Sequence, residues 1–491
     1  MANSSFWRID IVIEKNINML KNNFRYELIL LTRSKWLSIL VIGLTLLFAF
    51  AVYNGVNNVS KRTSVISKMQ LEIKEKDDEI LSALSKLDQG QEVDIPRWEL
   101  PSKPMTIGFR NPRLAVMNAE VFSFVSTGQS DMYTHVKRPK AYGNNFALDY
   151  SEMVNPVQLV LGTFDLAFVI IYILPLLIIA FTFNVLSKEK ELGTLNLLGA
   201  QPISIWKWLV QKMTIRFTVF LTITLLILMV TMTVFNARIF DEIINLLGLV
   251  IIITSYIAFW FILAFIVNIK INNSSKNAFV LIGGWLIIVM IIPATINQIG
   301  NTVYPTPSRL KMINKIRWEK KINEQMQDVN LSNYLKKNPE LDQGKNEEEF
   351  GFWPNYFASE YVLEEKISPL IKDYEDQLQK QQSINKVFKY LSPAILMQQS
   401  LNNIAGTSER HYNSYKKQVY EFSNSWRNIF IPMVFKDQKF TKLDFEKLPQ
   451  FNYKNNVDAE VWKNTLIMML LCVLLFVSFG VVLTRNNWFY K

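Results

Sequence analysis

The chain reads as a membrane α-helical bundle of six transmembrane helices, with two extracytoplasmic segments packed together as an outer domain. Two patterns carry that reading. Six apolar runs approach or exceed the roughly 20 residues needed to cross a bilayer, at 36–54, 159–186, 212–236, 243–268, 277–299 and 464–484. Lys and Arg gather in alternate flanks of those runs, the asymmetry that sets orientation in a membrane. Composition agrees, since half of the residues are hydrophobic while the mean hydropathy is only slightly positive. Very apolar stretches therefore alternate with ordinary water-soluble ones.

Residues 1–35 form a cytoplasmic interface helix in this reading. Phe6, Ile9, Ile17, Leu20, Phe24 and Leu28 recur at three- and four-residue steps with Lys and Arg between them, a basic amphipathic pattern. Such a helix lies on lipid or docks on a partner. The first span, 36–54, starts too late and lacks the small-residue cleavage site of a removable signal peptide, so it stays as an anchor. Segment 55–158 opens with a helix over 58–88, marked by Ile66, Met69, Ile73, Ile80, Leu84 and Leu87 on one face. Pro96, Pro101, Pro104, Pro112 and Pro139 then predict loops and short strands, making this segment mixed α/β.

The second span, 159–186, precedes a charged loop, 187–211, and spans three to five follow. Pro305 and Pro307 form an elbow into segment 300–462. That segment is expected to be mostly helical, over 308–328, 357–390, 394–404 and 408–428. The sixth span, 464–484, ends in a short tail, 485–491. The basic flanks are Arg8 to Lys35, Lys188 to Lys212, Lys270 with Lys276, and Arg485 with Lys491. All fall on one side if six spans alternate, which puts both termini in the cytoplasm and the chain in the cell's inner membrane. Trp36, Trp462 and Trp488 sit at expected interfaces.

Several chemistries are excluded. The net charge of +11 is spread over both sides of the bundle, so it fits topology and anionic lipid rather than nucleic acid. The single Cys472 lies in the sixth span and cannot form an intrachain disulfide. Only two histidines occur, His135 and His411, and no metal-binding spacing accompanies them. No Gly-x-x-x-x-Gly-Lys-Ser/Thr phosphate loop exists, and no nucleophile–base arrangement suggests an enzyme.

Two features of the second span invite functional readings. Asp165 lies six residues into it, either capping the helix at the interface or facing the bundle interior along a substrate path. Pro175, ten residues deeper, marks a static kink or a hinge. The stretch Ser187-Lys-Glu-Lys-Glu-Leu-Gly-Thr-Leu that follows is the most informative in the chain. Each of its charges would cost about 2.5–3.5 kcal/mol in hydrocarbon, so they project into water. Gly193 breaks the charged run, and Leu195, Leu197 and Leu198 form an apolar face ended by Gly199 and Pro202. A short amphipathic helix at the membrane surface is predicted.

These residues resemble the permease subunits of type-2 ATP-binding cassette exporters. The likeness runs through Phe164-Asp165-Leu166-Ala167-Phe168, Leu174-Pro175-Leu176-Leu177, Glu189-x-Glu191-x-Gly193-Thr194-Leu195, Gln201-Pro202-Ile203-Ser204 and Lys212. The stretches Tyr304 to Arg309, Leu391-Ser392-Pro393-Ala394, Gly406-Thr407 and Arg410-His411 resemble the branch with large extracytoplasmic insertions. The resemblance implies that Glu189, Glu191, Gly193, Thr194 and Leu195 form a coupling helix seated on an ATPase subunit. It implies further an extracytoplasmic motif at Arg309, Gly406, Thr407 and His411, with Asp165 and Pro175 in a transport path or hinge.

Two copies of the ATPase subunit, carrying ATP and Mg, and a second permease copy or paralogue would complete the exporter. No cofactor is expected in this chain itself. Membrane lipids and an extracytoplasmic protein are further expected partners. Movement of the outer domains without substrate crossing the bilayer is a variant of the same reading. A membrane-anchored receptor or scaffold without ATPase coupling is the alternative.

Overall fold

The computed structural model describes residues 24–128, 134–139, 164–195, 205–235, 238–342, 344, 350–455 and 460–485. In chain order its principal helices begin with α1 (Lys35–Asp88), α2 (Leu166–Glu191), α3 (Ile205–Val234), α4 (Ile243–Lys270) and α5 (Ser274–Val303). There follow α6 (Arg309–Glu324), α7 (Gln327–Lys337), α8 (Phe352–Phe388), α9 (Pro393–Ile404), α10 (Glu409–Phe435), α11 (Lys442–Glu446) and α12 (Glu460–Arg485). Among the described residues six helices, α1 to α5 and α12, are long and apolar enough to cross a membrane. The chain is a membrane-embedded helical protein.

The apolar surface agrees with a lipid surround. α1 exposes Trp36, Ile39, Ile42, Leu46 and Phe50, and α5 exposes Phe279, Ile282, Ile287 and Met290. Contiguous bands of that kind are avoided in water. The interior forms around α4, which packs on α2, α3, α9 and α12. Leu249, Ile252, Ile253, Tyr256, Ile257, Trp260 and Ala264 of α4 are fully buried there.

Pro175 and Pro293 each follow a π-helical stretch, Val169–Ile173 in α2 and Leu286–Ile291 in α5. A proline has no N–H to donate, and the extra residue per turn accommodates its ring. The carbonyls so released are claimed by neighbours. Tyr256 Oη donates to Ile171 O at 3.1 Å and Trp285 Nε1 to Tyr172 O at 3.1 Å. Ser392 Oγ donates to Ile288 O at 2.7 Å. Both irregular turns are thus tied to adjacent helices.

At one end of the bundle sits a lobe built from the second half of α1, residues 89–139 where described, and α6 to α11. Tyr334, Phe357 and Phe435 centre one of its cores; Leu84, Trp426, Phe430 and Phe440 centre another. Trp426 Nε1 donates to Gly108 O at 2.8 Å, joining the two sequence segments. The helix expected over 58–88 is continuous with the first span, forming one helix of 54 residues. At 1.5 Å per residue it is about 80 Å long. The expected strands reduce, among the described residues, to one antiparallel pair, Ala115–Val116 with Val136–Lys137.

The second segment is helical, with α7 and the short α11 in addition to the four expected helices. α10 runs to Phe435, beyond the expected 428, and contains Pro432. α9 departs most from expectation. Ala394, Leu396, Met397, Leu401 and Ile404 join the same core cluster as the spans, so this helix packs into the end of the bundle. The interface helix expected over 1–35 is described only from residue 24, and 159–163 also lie outside the described residues.

Candidate functional site

At the bundle end away from the lobe, the charged stretch after the second span forms a braced turn. Helix Ser187–Glu191 is followed by Gly193 at φ +71°, a left-handed conformation natural to glycine, and the chain is helical again at Thr194 and Leu195. Residues 196–204 of the predicted amphipathic helix lie outside the described residues. Glu189 Oε1 accepts from Lys212 Nζ of α3 at 2.9 Å, and Thr194 Oγ1 donates to the Glu189 carbonyl at 3.0 Å as well as to its carboxylate. The Lys212 ammonium also lies over the Trp208 ring, 4.7 Å from its centroid.

Glu191 grips α5. Its oxygens accept from Ser274 N at 2.7 Å and Ser274 Oγ at 2.9 Å, placing a carboxylate at the positive end of that helix. Ser187 Oγ lies 2.9 Å from the same Ser274 hydroxyl. Lys190 Nζ donates to Asn272 Oδ1. Behind the turn, two fully buried asparagines satisfy carbonyls that the irregular end of α2 releases. Asn268 Nδ2 donates to Thr182 O at 2.9 Å and Asn277 Nδ2 to Phe183 O at 3.0 Å. Two neighbouring spans, α3 and α5, therefore hold residues 187–194 at the end of α2. Leu192, 65% exposed, and Lys188 remain on the outside.

Sequence reasoning singled out Asp165 as the charge within a span and passed over Arg216, which lies inside the expected third span. Arg216 Nε pairs with Glu27 at 3.1 Å and its Nη1 donates to Phe181 O at 2.9 Å. Its position in the apolar run 212–236 was the available signal. The contact ties the helical residues 24–33 to α2 and α3.

Asp165 takes the capping place, one of its two expected alternatives, at the start of the described helix and not six residues into it. Among the described residues α2 begins at Leu166, and Asp165 is its N-cap, with Oδ1 accepting from Phe168 N at 2.8 Å. Oδ2 accepts from Thr127 N at 2.8 Å, and the residue is buried. An aspartate at an N-cap satisfies donors that the first helical turn leaves open, which explains its position at the helix end. Pro175 stands just after the π-helical stretch held by Tyr256 and Trp285.

Gly406, Thr407 and His411 come together in a clasp between the two lobe segments. Thr407 Oγ1 donates to Ser126 O at 2.9 Å, Ser123 Oγ to Ala405 O at 2.9 Å, and Ser126 Oγ to Asn402 Oδ1 at 2.6 Å. His411 Nδ1 lies 2.6 Å from Ser408 Oγ. Arg309 opens α6 instead, and its side chain lies outside the described residues.

A family model described as a domain of unknown function (DUF3526) matches residues 309–454, which run from α6 through the clasp to the end of the lobe. No curated protein matches the chain.

Proposed function

We propose that the chain is the membrane-spanning permease subunit of an ATP-binding cassette exporter, driven by a separate ATPase subunit. The observation that supports this best is the bracing of residues 187–194, at the end of α2, by α3 and α5. A push on that turn is delivered to three spans together. In this reading Glu189 and Glu191 act by joining the turn to α3 and α5, while Lys188 and Leu192 offer the contact face. The lobe is extracytoplasmic, the turn and both termini are cytoplasmic, and the membrane is the cell's inner membrane. Two ATPase copies and a second permease chain complete the assembly.

Purification of the native complex from its own membrane tests the proposal. A Leu192→Cys variant is expected to crosslink to an ATPase subunit, with hydrolysis stimulated in the reconstituted complex. Absence of any nucleotide-hydrolysing partner from the purified complex refutes the assignment and leaves a membrane-anchored scaffold.

A specific observation also favours the variant in which the lobe moves and no substrate crosses. α1 passes without a break from the bundle into the lobe, and Ile80 and Leu84 near its far end sit in a lobe core. Tilting of the spans then shifts the lobe directly. The capping geometry of Asp165 leaves that residue satisfied without any transported ligand.

A further inference from the structure

Where the lobe meets the ends of α4 and α12, a cavity of about 260 Å³ is lined by Glu120, Glu242, Asn245, His411, Asn455 and Trp462, among others. Its charge is one-sided. The Glu120 carboxylate accepts from Asn455 Nδ2 at 3.2 Å, and that of Glu242 from Asn245 Nδ2 at 2.6 Å. Among the described residues neither carboxylate has a Lys or Arg in ion-pair contact. Arg62 opposes this charge at Glu120 from a distance while donating to the Met117 carbonyl, and Arg410 pairs with Glu460 at 2.7 Å. Burial, with the charge of Glu242 adding to it, raises the Glu120 carboxyl above the usual carboxylate range.

A second observation also points into the cavity. His411 is only 2% exposed and lines it, and Ser408 occupies its Nδ1. Among the described residues its Nε2 has no hydrogen-bond partner. Burial, assisted by Arg410, lowers this imidazole to about 4, so the ring is neutral near pH 7 and offers no positive charge of its own. Gly406 makes the arrangement possible. At φ +67° it turns beside Glu120, and a Cβ there would stand 2.5 Å from Glu120 Cγ.

We propose that this cavity binds an organic ammonium group, held between Glu120 and Glu242 with the Trp462 indole at its rim. Carboxylates and an aromatic face are the groups that recognise alkylammonium ions. The volume lies near the lower end of pockets for organic ligands, about 300 Å³, and suits a headgroup-sized molecule. The two carboxylates oppose an anion. Among the described residues no group of three or more His, Cys, Asp or Glu could hold a metal ion. The position, at the ends of two candidate spans, makes the ammonium accessible either as a free amine or as the headgroup of an aminophospholipid. The inference goes beyond the exporter reading and stands or falls without it.

The test uses the full-length protein in nanodiscs of phosphatidylglycerol, titrated calorimetrically with choline, ethanolamine, MgCl₂, and 3,3-dimethyl-1-butanol, the neutral isostere of choline. The ammonium compounds should bind at least about tenfold more tightly than the neutral isostere. Glu120→Gln and Glu242→Gln should each weaken them at least about tenfold, whereas Asp241→Asn, an exposed neighbour, should not. Far-UV circular dichroism verifies that the variants fold. If a Gln variant fails to fold, competition between choline and the isostere on the unaltered protein decides the matter.

Mass spectrometry of lipid retained from native membranes separates the two sources. Loss of bound phosphatidylethanolamine in the Gln variants identifies the headgroup, and unchanged lipid with lost choline binding identifies a free amine. Equal affinity for the neutral isostere, unchanged affinity in folded Gln variants, binding of Mg²⁺ alone at the same site, or no binding of either ammonium source overturns the proposal.

Discussion

Replacing Asp165 separates a capping role from a place in a transport path. Alanine at this position removes the cap on Phe168 N, worth about 1 kcal/mol. It also strands the Thr127 N–H, a buried donor whose loss of partner costs about 1–3 kcal/mol. The sum, about 2–4 kcal/mol, should appear as faster local opening at the junction of α2 with residues 121–128. Because 1.4 kcal/mol is a factor of ten, hydrogen-exchange protection of the Phe168 and Thr127 amides should drop by roughly 30- to 700-fold. Asparagine keeps one acceptor oxygen and turns an NH₂ toward the other donor, so it should give a smaller loss confined to one of the two amides. The assay is hydrogen exchange with fragment mass spectrometry on the protein in nanodiscs, beside coupled ATP hydrolysis in the reconstituted complex. Unchanged protection of both amides in Asp165→Ala, with coupled activity abolished, would refute the capping argument and return Asp165 to the transport path.

Three further outcomes are expected. Lys212→Met deprives Glu189 Oε1 of its donor and should lower the thermal midpoint by the equivalent of about 1–3 kcal/mol; a double-mutant cycle with Glu189→Gln should show coupling between them. Gly55→Ala should destabilise by about 1–3 kcal/mol or more, measured as the shift of the unfolding midpoint, because a Cβ there would lie 2.1 Å from the backbone oxygen of Phe124. Acid should loosen the lobe. Burial lowers His411 to about 4 and His135 to about 3, so between those values and 6.5 the unfolded chain binds protons that the folded chain does not. Stability is therefore present above pH 6.5 and is lost as pH falls through that window. His411 accounts for roughly 2 kcal/mol between pH 7 and 5, and His411→Gln should flatten that part of a thermal-unfolding pH series.

The apolar runs and their charged flanks were enough to place the helical spans, because hydrocarbon imposes length and composition directly on the sequence. The role of Asp165 was legible only as a pair of alternatives, since the donor that decides it, Thr127, comes from 38 residues earlier. Asn268 and Asn277 carried no recognisable signal: their function is to satisfy carbonyls at the irregular end of α2, which exist only once that helix has formed. Arg216 had a signal, a charge inside an apolar run, but its partners Glu27 and the Phe181 carbonyl come from other elements. The helix over 394–404 has an apolar face that periodicity alone could not assign to the lobe or to the spans. The paired carboxylates Glu120 and Glu242 lie 122 positions apart and meet only through the fold.

The unbroken course of α1 has a consequence for rotational phase. Each residue of a helix turns everything beyond it by about 100° and advances it by about 1.5 Å. Inserting one residue between Tyr53, which faces Phe235, and Ile80, in the lobe core, would wind the distal contacts out of alignment with the bundle. Seven inserted residues bring the face back to within about 20° at the cost of length. Comparing the two insertions distinguishes a shaft that must keep its angular setting from a tether that need only reach.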